Sequence, residues 1–226
     1  VGWCGPTTGR WCPYAPRQRA IVLWWDRTTR PALINAITKD WTRTDVVILK
    51  PEQMRLQNQA NLKTVFDHDG LFATASTASP DPKPSPARLK YQFEEFLRVL
   101  GLLHLAIGRQ EYLNGVLGVF HLRNLLVGLL VEETAAPHRG GALHLNRLIT
   151  EEQKALLASL PPPVPERDAL IATNLAYAKA YLPRAQRLAK RWGVDWPDAF
   201  EAATWAHLKA TLAIERPDAL APAKDP

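Results

Sequence analysis

The spacing of apolar residues changes once along the chain. Up to about residue 75 they form β-branched runs or alternate with polar residues, and beyond residue 86 they recur every three to four positions. Residues 32–49, ALINAITKDWTRTDVVIL, hold two β-rich runs on either side of Lys39, Asp40 and Trp41, which predicts an antiparallel hairpin. In the second run the alternation places Arg43, Asp45, Val47 and Leu49 on one face, with Thr42, Thr44, Val46 and Ile48 on the other. Asp45 therefore shares a face with two apolar side chains. Pro51 suits the first turn of a short helix reaching about Asn58. The run LKTVF, ahead of the turn Asp67-His68-Asp69-Gly70, predicts a further short strand. Residues 76–86, STASPDPKPSP, have the composition of a linker.

After the linker the pattern is helical. Ser85 and Pro86 suit an N-cap and first helical position, and Phe93, Phe96, Leu97, Leu100 and Leu103 line one face of the helix that follows. A second helix over about 110–133 is apolar nearly all round, so it should be the central and most buried one. The run Thr150-Glu151-Glu152-Gln153 is a capping-box start for a short third helix. Two longer helices follow at about 166–192 and 197–214, separated around Gly193 and Pro197. Five helices with short joints predict a bundle. The fold class is thus α+β. Its expected divisions are an irregular basic segment at 1–19, a sheet region at 20–75, the linker at 76–86 and a helical bundle domain at 87–226.

Charge and composition narrow the function less than they narrow the fold. The chain has 226 residues and a formal net charge of +6, but the basic excess falls within the first 50 residues and residues 91–226 balance. Without an RNA-binding aromatic signature or zinc-finger spacing, this argues against a nucleic-acid partner. Both cysteines, Cys4 and Cys12, lie in the opening segment, where their spacing is not that of a zinc site and no metal is expected. They read as incidental thiols of a reducing compartment. The apolar stretch 113–131 approaches membrane-spanning length yet contains Asn114, His121, Arg123 and Asn124, so a buried helix is expected rather than a membrane span. With no basic-then-apolar leader, the expected location is the cytoplasm.

The run ITKDWTRTDVVILKPEQ followed by LKTVFDHDGL resembles the later sheet portion of the aminoglycoside and lincosamide nucleotidyltransferases. The segments EFLRVLGLLHLAIGRQEYLNGV and GGALHLNRLITEEQ resemble their C-terminal helical domain. The likeness spans about four fifths of the chain and rests on segment order rather than a short catalytic motif. It implies the remnant of a nucleotidyltransferase sheet, a β-hairpin plus a short strand, followed by a helical bundle. It also implies the family's chemistry, transfer of a nucleoside monophosphate from ATP, with Mg2+, to a hydroxyl of an antibiotic or similar small-molecule acceptor. In the family a Gly-Ser turn precedes two alternating aspartates on a strand, and a later strand supplies a third carboxylate. Asp45 matches that third position and is the implied catalytic and metal-binding residue, the competing reading being an edge-strand aspartate paired with Arg43. Lys50 is the implied triphosphate contact, the competing reading being a solvated strand-end lysine. The Gly-Ser turn and the first aspartate pair have no counterpart here, since the Asp67-His68-Asp69 run follows Asp45 and reads as a turn. The expectation is that the front part carrying most of this chemistry is missing.

In the helical part, Asn114, Gly118, His121 and Asn124 or Leu125 fall near one stripe of the second helix, a pattern that permits close approach by a ligand or a neighbouring helix. Asn114, His121, Asn124 and Glu132 are the candidate substrate contacts. A satisfied core histidine is the competing reading of His121. Glu132, Glu133, Glu151 and Glu152 could form an acidic rim suited to a cationic antibiotic. Arg123, set among Val116, Val119, Phe120 and Val127, requires a partner, for which Glu94 or Glu95 is nearest in pattern. Two functions stand against each other: a nucleotidyltransferase-like protein, and a non-catalytic helical binding module or truncated product, in either case with a homodimer as a candidate assembly.

Overall fold

The computed structural model describes residues 21–27, 32–78, 84–136 and 144–217, with side chains from Leu33 onward. The opening segment with Cys4 and Cys12, and the middle of the linker, lie outside the described residues. The chain divides into two compact units, Val1–Ser79 and Pro80–Pro226. It combines an antiparallel hairpin with a mostly helical remainder.

In the first unit β1 (Ile21–Arg27), β2 (Ala32–Thr38) and β3 (Arg43–Ile48) form an antiparallel sheet in the order β1-β2-β3. The β2–β3 hairpin is the one its alternation predicts, with Asn35 opposite Asp45 and Leu33 opposite Val47. Its turn closes through the Trp41 N–H to the Thr38 carbonyl at 2.9 Å, and Trp41 takes a left-handed φ of 60°. Ile34 is buried, while every residue of β3 is exposed. The short helix α1 (Pro51–Met54) ends sooner than the pattern suggests. The strand expected in LKTVF does not form: Leu62 to Phe66 is irregular and exposed. Ladder bonds need a neighbouring backbone, and here Asn58 pairs instead with Ser76 across the base of that loop. The Asp67 carboxylate accepts the Leu71 and Phe72 N–H groups, both at 2.8 Å, so this run is a turn.

The second unit comprises α2 (Pro86–Gly101), α3 (Leu103–Gly108), α4 (Tyr112–Thr134), α5 (Leu145–Leu148), α6 (Glu151–Ser159), α7 (Arg167–Trp192) and α8 (Asp198–Leu212). The stripe Phe93, Phe96, Leu97 and Leu100 is wholly buried, each side chain contributing roughly 1.5–3 kcal/mol of hydrophobic stabilisation. The helix breaks at Leu102, whose N–H reaches back to the Arg98 and Val99 carbonyls, so Leu103 belongs to α3. At α6, Thr150 accepts from the Gln153 N–H at 3.2 Å while the Gln153 side chain accepts from the Thr150 N–H at 3.0 Å, the reciprocal cap that the sequence predicts.

The centre of the unit is the contact of α4 with α7, flanked by α2 and α3. Among the described residues α4 is the one helix long and apolar enough to cross a membrane. It is central as expected, but it is not enclosed all round. Val119, Leu122, Leu126, Leu129 and Leu130 are enclosed, whereas Leu113, Leu117 and Phe120 are exposed. The helix is apolar on more sides than its neighbours cover.

Candidate functional site

The N-terminal half of α4 is shaped by its two glycines. A Cβ at Gly115 would meet Leu170 Cδ1 of α7 at 2.7 Å, so the bare backbone lets α7 approach closely. At Gly118 a Cβ would meet nothing within 4 Å. The outcome is a hollow of about 200 Å³ walled by Val99, Leu102, Leu103 and Ala106, with Asn114, Gly118, His121 and Asn174 also on its lining.

His121 is exposed rather than the satisfied core histidine that its apolar surroundings suggest, because it continues the stripe of Leu113 and Leu117, which is exposed. Its Nε2 lies 2.9 Å from Glu95 Oε1, and Arg98 donates to the same carboxylate at 2.6 and 2.7 Å. The Arg98 hydrogen bonds above all, with His121 adding to them, hold the Glu95 carboxyl below its usual range. The contact with Glu95 occupies Nε2 and leaves Nδ1 of His121 without a partner among the described residues. Asn174, buried on α7, donates Nδ2 to the Leu170 carbonyl at 2.8 Å, which leaves Oδ1 with no donor among the described residues. Asn114 is exposed. Three groups able to bond a polar ligand therefore line one apolar-walled hollow, and only Asn174 is invisible to the stripe reading of α4.

The other expected contacts are placed differently. Asn124 is exposed and lies outside the lining of the hollow. Glu132 is fully buried with Arg88 Nε 3.6 Å from its carboxylate, so it does not contribute to an acidic rim. Glu133 is bonded by Arg184 and Gln153, both at 2.9 Å, and Arg184 also lies 3.7 Å from Glu152. These charges are neutralised within the fold. Arg123 does not reach Glu94 or Glu95. It donates to the Leu157 carbonyl at 3.2 Å and the Tyr177 hydroxyl at 3.0 Å, on the opposite flank of α4.

In the sheet unit, Asp45 accepts from Asn35 Nδ2 across the strands at 2.7 Å and from Arg43 Nε at 2.9 Å. Hydrogen bonds from Arg43 first and Asn35 second hold its carboxyl below the ordinary carboxylate range. Lys50 is exposed ahead of α1, its N–H donating to Gln53 Oε1 at 2.8 Å. Among the described residues no three His, Cys, Asp or Glu side chains are grouped as metal ligands would be. A lone carboxylate already held by a guanidinium does not fit a magnesium triphosphate, which takes several oxygen ligands.

No family model, curated protein or solved structure matches the chain.

Proposed function

We propose that the chain is a nucleotidyltransferase-like protein whose helical unit binds a small, hydroxyl-bearing acceptor in the hollow beside α4. The observation that carries this reading is that Asn114, His121 and Asn174 line one apolar-walled cavity. Such sites are mostly apolar, with a few polar groups that fix orientation. At about 200 Å³ the hollow is below the usual range for whole ligands and suits one ring of a larger acceptor. The likeness of the runs around Asp45 and Leu113 to antibiotic nucleotidyltransferases supports that acceptor class. ATP and magnesium enter through the same likeness. The engagement of Asp45 by Arg43 and Asn35 favours a second reading, binding without turnover by this chain alone.

The test is calorimetric titration of the full chain with a panel of aminoglycosides and lincosamides. Saturable binding is expected, weakened about tenfold by Asn114→Ala or His121→Ala, the usual cost of one hydrogen bond to a buried ligand. Gly118→Leu should block the hollow. Failure of every panel member to bind, or binding indifferent to all three substitutions, would remove this function.

A further inference from the structure

The flank of α4 opposite the His121 hollow carries a second cavity, of about 450 Å³, whose volume lies within the range of small-molecule sites. Its walls are apolar: Val119 and Phe120 of α4, Leu157 of α6, and a rim formed by Pro161, Pro162 and Pro163. Proline fixes its own backbone torsion, so this rim needs little ordering when a ligand enters. Set into the apolar wall are two polar side chains, Arg123 and Tyr177.

The hydrogen bonding of the guanidinium is incomplete in a directed way. Arg123 uses Nη1 for the Leu157 carbonyl and the Tyr177 hydroxyl, while Nε and Nη2 donate to no group among the described residues. No carboxylate among them pairs with this half-buried guanidinium, although Arg88, Arg98, Arg184 and Arg216 all have one. Tyr177 is 1% exposed. Its oxygen accepts from Arg123, which fixes the guanidinium in place. A permanently charged fork, held at one nitrogen by a phenol, is thus set into the lining of an apolar chamber. A cation partly removed from water calls for a counter-charge, and the described residues of the fold supply none.

We propose that this cavity binds an apolar monocarboxylate, its carboxylate paired with the Nε–Nη2 edge of Arg123, whose Nη1 is held by Tyr177 and the Leu157 carbonyl, and its body lying against Leu157, Phe120 and the proline rim. The planar guanidinium matches a carboxylate through two parallel N–H donors, and Nε with Nη2 offers that edge. The inference does not depend on the acceptor reading above, since it concerns other residues and a ligand of opposite polarity.

The probe is 4-phenylbutyrate, titrated by calorimetry and by chemical-shift mapping into the full chain, against its neutral amide and against inorganic phosphate. Saturable binding of the acid is expected, with shifts at Leu157 and Tyr177. The amide should bind at least about tenfold more weakly, the loss expected when a charge-assisted hydrogen bond becomes neutral. Arg123→Met, which retains an apolar stem, should reduce the acid to the level of the amide, and Arg123→Lys should restore part of the difference. Should the methionine variant fail to fold, the comparison of acid with amide on the parent chain decides the matter. Equal binding of acid and amide would overturn the proposal, as would phosphate binding as tightly as the acid. Absence of saturation by the acid up to about 10 mM, weaker than any useful site, would also overturn it.

Discussion

Glu201 accepts a hydrogen bond from the Trp196 indole at 2.8 Å, and this pairing anchors the turn between α7 and α8 to the first coil of α8. The carboxylate is 6% exposed and also receives Gln186 at 3.1 Å, Trp205 at 3.4 Å and Arg216 Nε at 3.1 Å. A buried charge is tolerated only when its lone pairs are filled, and here donors from α7, α8 and the segments on either side of α8 fill them.

Glu201→Ala would remove the carboxylate that two indole N–H groups, the Gln186 amide and Arg216 Nε donate to. A loss of about 3 kcal/mol in urea unfolding is expected, the lower end for breaking a buried pair because Arg216 can still reach water. Glu201→Gln keeps an acceptor for Trp196 and should lose clearly less. A change below about 0.5 kcal/mol for the alanine variant would mean that the network contributes only geometry.

Glu95 predicts how the helical unit responds to acid. Arg98 and then His121 lower its folded pKa beneath the unfolded value. A carboxyl shifted in that sense adds stability that is fully present above its ordinary titration near pH 4.3 and is lost as pH falls through the lower folded value. Glu95→Gln should therefore be less stable than the parent at pH 7, and the gap should narrow as the pH falls through the lowered folded value. Urea midpoints of both proteins along an acid series provide the check, and a gap that does not narrow would point to packing instead of charge.

The two glycines of the α4 hollow should respond in opposite directions to the same substitution. At Gly115 the added methyl meets the buried Leu170 side chain at 2.7 Å. Overpacking of roughly 1–3 kcal/mol there outweighs the gain of about 1 kcal/mol in helix propensity, so Gly115→Ala should lower the melting temperature. At Gly118 the methyl enters open space. Gly118→Ala should raise stability by about 0.5–1 kcal/mol. Melting curves that move the same way for both would contradict the placement of α7 against α4.

What could be read in advance was what depends on local periodicity. Phe93, Phe96 and Leu97 repeat with the helical turn, and Thr150 with Gln153 is a cap defined by four consecutive residues, so both were legible. The strand β1 went unread because its run IVLWWDR adjoins the irregular basic opening, although its bulky β-branched and aromatic residues were a usable signal. LKTVF misleads in the opposite sense, since a strand-like run needs a partner that only the assembled fold supplies. The stripe of Asn114, Gly118 and His121 marked one side of a hollow, while Asn174, sixty positions beyond Asn114, has no local pattern joining it to them. Arg123 was recognisable as a cation in need of company. Its actual neighbour Tyr177, 54 residues away, was not.

The final prediction concerns Asp45 and the number of ligands a phosphoryl-type transfer requires. Positioning and charge stabilisation are nearly all that such a reaction obtains from a protein, and magnesium held by several oxygens provides much of both. Among the described residues Asp45 belongs to no group of three potential metal ligands, and its own oxygens already accept from Arg43 and Asn35. Because those bonds keep it ionised well below neutral pH, no pH between 5 and 9 should switch its state. Loss of two interactions worth roughly 3 kcal/mol each raises the barrier enough to slow transfer on the order of ten-thousandfold. The full chain incubated with magnesium, ATP and an aminoglycoside or lincosamide panel should therefore give no adenylylated product above background, at any pH in that window. Appending a segment that supplies a Gly-Ser turn and two alternating aspartates should produce transfer, and Asp45→Asn should then abolish it. Robust turnover by the chain as it stands, unchanged by Asp45→Asn, would place the reacting centre elsewhere in the molecule.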